Sequence, residues 1–271
     1  MKRIMSMIAA AIIAVACTGG DGSIKYEPIP SSILTPDRVE TRLGPLTFFD
    51  GYPSAETVET VYDNIDFQRG VRAFLDGLPI ASLHAMREGL REMGCVNGTV
   101  GIFETLMDSR TLFLTANTES VYAMTWLDLK DGPMVIESAP NTLGILDDFF
   151  FGHVTDLGNA GPDRGQGGTF LILPPNYDGE VPEGYYTFTS RTFGNWLIWR
   201  GFLVDGDPGP AVANLKENTR IYPLARRNAR PATQFVNLSG RSFNTIHAND
   251  LSFYEEVHAV LQEEPVDDID P

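Results

Sequence analysis

Val121-Tyr-Ala-Met-Thr-Trp-Leu-Asp-Leu129 and Asn195-Trp-Leu-Ile-Trp-Arg-Gly-Phe-Leu-Val204 are runs rich in β-branched and aromatic residues, and their spacing is strand-like rather than helical. Around them lie shorter runs of the same kind: Thr111–Thr115, Met134–Ser138, Thr169–Leu173 and Tyr185–Arg191. Turn-forming residues separate them, with Asp131-Gly132, Pro174-Pro175, Asn176-Tyr-Asp-Gly179 and Asp205-Gly206. Asp131-Gly132 predicts a hairpin between 121–129 and 134–138. The gaps are too short for a helix between each pair of strands, which a parallel α/β sheet needs. The spacing therefore predicts an antiparallel sandwich or barrel.

The regions on either side are helical. Ser54 follows Pro53 and is placed to cap a helix, with Glu56 and Glu59 at its positive end. Val58, Val61, Tyr62 and Ile65 make one stripe, and Phe67, Val71, Phe74, Leu75 and Leu78 a second on a shifted face. Gly77-Leu-Pro79 predicts a break, and Ile80, Leu83, Met86, Leu90 and Met93 continue to a stop at Gly94. Short helices are expected over 210–218 and 249–262, with Phe235–Leu238 as a further strand. The domain reading is a leader over 1–16, a tether over 17–40, a helical segment over 41–98, a β-sandwich region over 99–248 and a terminal helix with an acidic boundary segment over 249–271. The fold class is α+β, mainly β, with an N-terminal helical subdomain.

The start of the chain argues for export. Lys2 and Arg3 precede an apolar run that ends in Ala14-Val15-Ala16 before Cys17, the layout of a secretory signal. The run is too short to span a bilayer. A Cys directly after such a stretch is the site of lipid attachment in bacterial lipoproteins, although Ala14 stands where Leu is usual; ordinary cleavage with an unmodified Cys17 is the alternative. The expected location is the cell envelope, anchored to a membrane through lipid on Cys17, or soluble in the periplasm. Cys95 is the only other cysteine. No disulfide framework follows, and Cys95 reads as a small buried residue rather than a nucleophile.

Acidic residues outnumber basic ones by 36 to 20, a net charge of −16. Such a chain is repelled by phosphate backbones, which excludes nucleic acid as a partner class. The acidic residues from Glu255 to Asp270 read as a solvated helix face and tail. A homo-oligomer is among the partners that the sequence allows.

Signatures of hydrolase elbows, zinc proteases, Cys-x-x-Cys metal sites and phosphate loops are absent. The Gly-rich loop 158–168 precedes a strand, the wrong context for a dinucleotide fingerprint. No cofactor or metal is expected. Two polar groupings remain as candidates. Asn117 and Glu119 lead into the strand carrying Tyr122, Trp126 and Asp128, where they either pin a loop or face a ligand. Arg191, Trp196, Trp199 and Arg200 form an aromatic–basic cluster. His153 follows Asp147-Asp148 and precedes Asp156; on one strand it shares a face with Asp147 but not with Asp148 or Asp156.

Thr41–Pro53, Asn117-Thr-Glu-Ser-Val-Tyr122, Trp126-Leu-Asp-Leu-Lys-Asp-Gly-Pro133 and Gly201-Phe-Leu-Val-Asp-Gly-Asp207 resemble the bacterial envelope family catalogued as domain of unknown function 1254. The resemblance extends over about residues 35–270. Glu119 stands where members often carry Asp. The resemblance implies a β-sandwich or jelly-roll-like fold, and a second β-rich domain, catalogued as 1214, that usually follows and is missing here, so that the chain reads as an N-terminal portion. It implies no activity and no catalytic residues.

Two functions are expected. In the first, an exported envelope protein holds a small molecule or glycan in a β-sandwich cleft through Asn117, Tyr122, Trp126, Arg191 and Trp199. In the second, a hydrolase of an envelope or extracellular polymer draws an acid/base pair from Glu119, Asp128, Asp147 and Asp148, with His153 beside them.

Overall fold

The computed structural model describes residues 27–114 and 116–266. The leader 1–16, Cys17 and the acidic end from residue 267 lie outside the described residues. The fold is α+β and mainly β. The chain divides into two compact units, residues 1–67 and 68–271.

In the first unit, β1 (Arg38–Thr41), β2 (Gly44–Phe49) and β3 (Tyr52–Pro53) form an antiparallel sheet. Asp50 and Gly51 both adopt positive φ, 50° and 82°, the two-residue turn that matches strand twist. Helix α1 (Ala55–Glu92) begins here. Ser54 caps it as expected, its Oγ accepting the Thr57 N–H at 3.2 Å.

Helix α1 continues into the second unit through Pro79 without the expected break. Pro79 deprives the Leu75 carbonyl of its N–H partner, and Leu75 is 58% exposed, so water can take that place. Gly77 serves packing rather than termination. A Cβ on it would lie 2.9 Å from Val257 Cγ2, so glycine lets α3 (Ser252–Glu263) approach closely.

The remaining strands are β4 (Thr99–Ile102), β5 (Thr111–Leu112), β6 (Ser120–Asp128), β7 (Met134–Ser138), β8 (Thr142–Asp148), β9 (His153–Gly158), β10 (Gly168–Leu173), β11 (Tyr186–Thr189), β12 (Gly194–Phe202), β13 (Arg220–Pro223), β14 (Gln234–Asn237) and β15 (Phe243–Asn244). Six form one sheet in the order β14-β4-β6-β12-β8-β9, and four form another in the order β11-β10-β7-β13. Side-chain parity shows how they pack. Val121, Ala123 and Leu127 of β6 and Leu197 and Trp199 of β12 share a core with Met134, Ile136, Phe170, Ile172 and Ile221 of the smaller sheet. The alternate positions Tyr122, Met124, Trp126, Trp196 and Ile198 form a second core with Leu83, Met86 and Leu90 of α1 and Val260 of α3. The six-stranded sheet is thus covered on one face by the smaller sheet and on the other, over β6 and the start of β12, by the helices, while Leu143 and Ile145 of β8 on that second face stay partly exposed. Helix α2 (Gly209–Asn218) adds Ala211, Val212 and Leu215 to the inter-sheet core.

Three expectations change. The Asp131-Gly132 turn forms, with the Gly132 N–H donating to Leu129 O at 2.9 Å, but β6 and β7 lie in different sheets, so it is a corner and not a hairpin. β6 is paired along its whole length by β12, and Pro133 has no N–H to extend a ladder toward it. The sandwich is mainly antiparallel, yet β11, β14 and β15 each add in parallel to β10, β4 and β5. Finally, not all of the terminal acids are a solvated face. Glu263 takes a bidentate pair from Arg87 at 2.8 and 3.1 Å. Glu264 is buried and accepts the Phe193 and Gly194 N–H groups, which ties the end of α3 to the start of β12.

Candidate functional site

The site lies on the α1-side face of the six-stranded sheet, over β8 and β12. Register makes its floor from three cross-strand pairs: Asp147 with Trp196, Ile145 with Ile198, and Leu143 with Arg200. Side chains opposite one another share a face, so all six point the same way. Leu114 and Phe151 form walls, Asp156 of β9 closes the rim beside Ile145, and the cavity measures about 430 Å³.

Asp147 is 4% exposed. Burial pushes its carboxyl up to about 6; Asp148 and Asp156 add to the rise, and the nearby His153 opposes it. No group among the described residues hydrogen-bonds this carboxyl. Arg200 packs its guanidinium over the Tyr122 ring, 5.1 Å from the centroid, and has neither a hydrogen-bond nor an ion-pair partner among the described residues. Trp196 lies between Phe113 and Phe151, with ring centroids 6.1 and 5.9 Å away.

A raised pKa makes a definite stability claim. Protonated Asp147 suits its buried site, so its favourable contribution is full below its unfolded pKa near 3.8 and is lost as pH rises through about 6. Asp147→Asn mimics the neutral form. It is expected to stabilise the protein by about 2–3 kcal/mol at pH 8 and to change nothing at pH 3.5. Urea unfolding at the two pH values measures this, and equal effects at both would contradict it.

The loop between β8 and β9 shapes the wall. The Asp148 N–H donates to Gly152 O at 2.8 Å and the Phe151 N–H to Asp148 O at 3.0 Å. Phe151 sits at φ 63°, the left-handed position of a three-residue hairpin loop, where Gly or Asn is usual. A bulky residue there costs about 1–2 kcal/mol. That strain is held by the Asp148 carboxylate, which accepts the Phe150 and Gly152 N–H groups at 3.0 and 2.7 Å and pairs with Arg191 at 2.8 Å. Phe→Gly substitutions in cores usually lose several kcal/mol. Here strain relief offsets the lost contact, and Phe151→Gly is expected to stay within about 1 kcal/mol of wild type in chemical denaturation. A loss above about 3 kcal/mol would show that the loop is unstrained.

The other predicted site residues are placed elsewhere. Trp126 is 1% exposed and packs edge-on to Phe149 in the α1-side core; Trp199 is fully buried between the sheets, its Nε1–H donating to Ser138 Oγ at 3.2 Å. Neither can face a ligand, because Trp126 lies under the α1-side core and Trp199 lies between the two sheets. Asn117 takes the loop-pinning role: its Nδ2 donates to Tyr122 Oη at 2.6 Å and its Oδ1 accepts the Glu119 N–H and Ser120 Oγ–H. Tyr122 is buried beneath Arg200. Glu119 is exposed on that loop. Asp128 accepts the Lys130 N–H at 3.0 Å outside the groove, and Arg191 clamps Asp148. The carboxylates Glu119, Asp128, Asp147 and Asp148 therefore do not share a cleft. His153 is a Cα partner of Asp147, and a bulge there brings it to the side of Asp156, with Nε2 3.4 Å from Asp156 Oδ2. That overturns the parity expected of a single regular strand. Among the described residues no group of three His, Cys, Asp or Glu could hold a metal, and no helix is long and apolar enough to cross a membrane. Cys95 is buried and its thiol is pushed up to about 11, which fits the structural role expected of it.

The sandwich strands that build this groove lie inside one recognisable segment. The family model described as protein of unknown function (DUF1254) matches residues 98–223. That segment is similar to DUF1254 domains. The match contains Asn117–Tyr122, Trp126–Pro133 and Gly201–Asp207, and leaves Thr41–Pro53 outside. The DUF1254 segment holds every residue that lines the groove. No curated protein matches the chain. Among solved structures, the VPA0106 protein from Vibrio parahaemolyticus is similar at 16% identity, over 70% of this chain and 47% of that one, with a TM-score of 0.42. The chain thus spans about half the length of that protein.

Proposed function

We propose that this chain is an exported envelope protein, held to a membrane by lipid on Cys17, whose DUF1254 domain binds a small ligand over β8 and β12. One observation carries the binding reading: at one end of an apolar floor Asp147 is 4% exposed with no hydrogen-bond partner among the described residues, and at the other end the half-buried Arg200 offers its guanidinium. Buried polar groups are nearly always satisfied within a protein, and an exception such as Asp147 calls for an explanation such as a ligand. A concave apolar site with a few polar groups is also the usual form of a small-molecule pocket. An extended glycan fits less well, since sugar rings need open aromatic faces, whereas Trp126 and Trp199 are buried and Trp196 is flanked by two Phe rings. The hydrolase reading narrows to Asp147 and Asp156, the two carboxylates that line the groove.

The test uses the indole N–H resonances of Trp126, Trp196 and Trp199, assigned from single Trp→Phe variants. Panels of amphipathic carboxylates and of short oligosaccharides are titrated in. A panel member should shift Trp196 and leave Trp199 in place, and Asp147→Asn or Arg200→Gln should weaken that titration about tenfold. A Trp196 resonance indifferent to both panels overturns the reading. The anchor is tested separately by labelling producing cells with radioactive palmitate. Label is expected on the wild type and absent from Cys17→Ser; an unlabelled wild type removes the anchor.

A further inference from the structure

We propose that the groove takes an elongated amphiphile with a carboxylate at one end, an apolar body of about ten carbons and a hydrogen-bond donor at the other; this rests on the ligand-binding reading above. The argument is a matter of distance and polarity. The Asp147–Trp196 and Leu143–Arg200 pairs lie four residues apart on the same two strands. At about 3.3 Å per residue the two charged positions are about 13 Å apart along the sheet. They are too far apart to neutralise each other, and neither has a hydrogen-bond or ion-pair partner among the described residues. Between them the floor is Ile145 and Ile198, which offer nothing to a polar group. A chain of about ten carbons, at about 1.5 Å per bond and foreshortened by its zigzag, covers this span.

The two ends differ in chemistry, which sets the ligand's direction. Arg200 offers a planar fork of donors that fits a carboxylate bidentately, and the Tyr122 ring beneath supports its plane. Ionised Asp147 can only accept hydrogen bonds, so the ligand must bring a donor to it. Asp156 lies at the rim beside Ile145, and its charge disfavours an anionic group anywhere but at the Arg200 end. The chain's net charge of −16 opposes the approach of an anion, an effect confined to about 8 Å at 0.15 M salt.

Titration calorimetry on the full chain at pH 7.5 and 0.15 M salt compares 10-hydroxydecanoate, decanoate, 1,10-decanediol and 6-hydroxyhexanoate. The hydroxy acid of matching length should bind about tenfold tighter than each of the other three. Arg200→Gln should abolish its advantage over the diol, and Asp147→Ala its advantage over decanoate. Equal affinity for decanoate and 10-hydroxydecanoate, or preferences that survive both substitutions, would overturn the proposal. If oligosaccharides shift the Trp196 resonance and these acids do not, the ligand class is wrong while the groove still binds. If nothing shifts it, both fall.

Discussion

Trp199→Ala is expected to lower the unfolding free energy by about 3–5 kcal/mol. The ring is fully buried between the two sheets, and the space it leaves cannot collapse without moving both. Gly144 shows how tightly the ring is held, since a Cβ there would lie 2.7 Å from Trp199 Cδ1. Trp199→Phe separates packing from hydrogen bonding. It keeps most of the apolar volume and loses the bond to Ser138 Oγ, for about 1–2 kcal/mol. Because residue 199 points away from the groove, Trp199→Phe should leave ligand titration at Trp196 unchanged. Denaturation paired with that titration decides the matter. A ligand-facing Trp199 would show the reverse, with binding lost and stability kept.

Asp148→Ala is expected to cost about 3 kcal/mol and to deform the groove as well. The carboxylate is 1% exposed and accepts two loop N–H groups in addition to Arg191. Its removal leaves those donors without partners in a site that water enters poorly, at about 1–3 kcal/mol each. Arg191 is solvated enough to lose little by itself. Asp148→Asn keeps one acceptor oxygen and should lose about half as much. Since the same carboxylate holds Phe151 in its left-handed conformation, both variants should broaden or move the Trp196 indole resonance before any ligand is added. An unmoved resonance would separate the clamp from the groove wall.

The strands β6, β7, β10, β11 and β12, and the helices α2 and α3, were legible from composition and turn chemistry. β8 and β9 were not. Thr142-Leu-Gly-Ile-Leu-Asp-Asp148 contains a glycine and two acids, all poor strand formers. It becomes a strand because β12 and β9 pair with it on both sides. The site is hidden in the sequence for the same reason. Asp147, His153, Trp196 and Arg200 are chemistry-bearing residues, but along the chain they fall into two separate groupings. Only the β8–β12 register joins them. Trp126 and Trp199 are hidden from a ligand for a related reason. Alternation separates an inner face from an outer one only where one face meets water, and β6 and most of β12 are buried on both.

Residue chemistry alone determined the mainly β character and the capped N-terminal helix. These depend on local propensity, spacing and counts, which a linear chain carries in full. The continuity of α1 through Pro79, the corner at Asp131-Gly132, the strain at Phe151 and the meeting of Asp147 with Arg200 across one floor were decided by the tertiary structure. Each depends on which segments lie side by side, and pairing is a non-local choice made by the whole packed sheet.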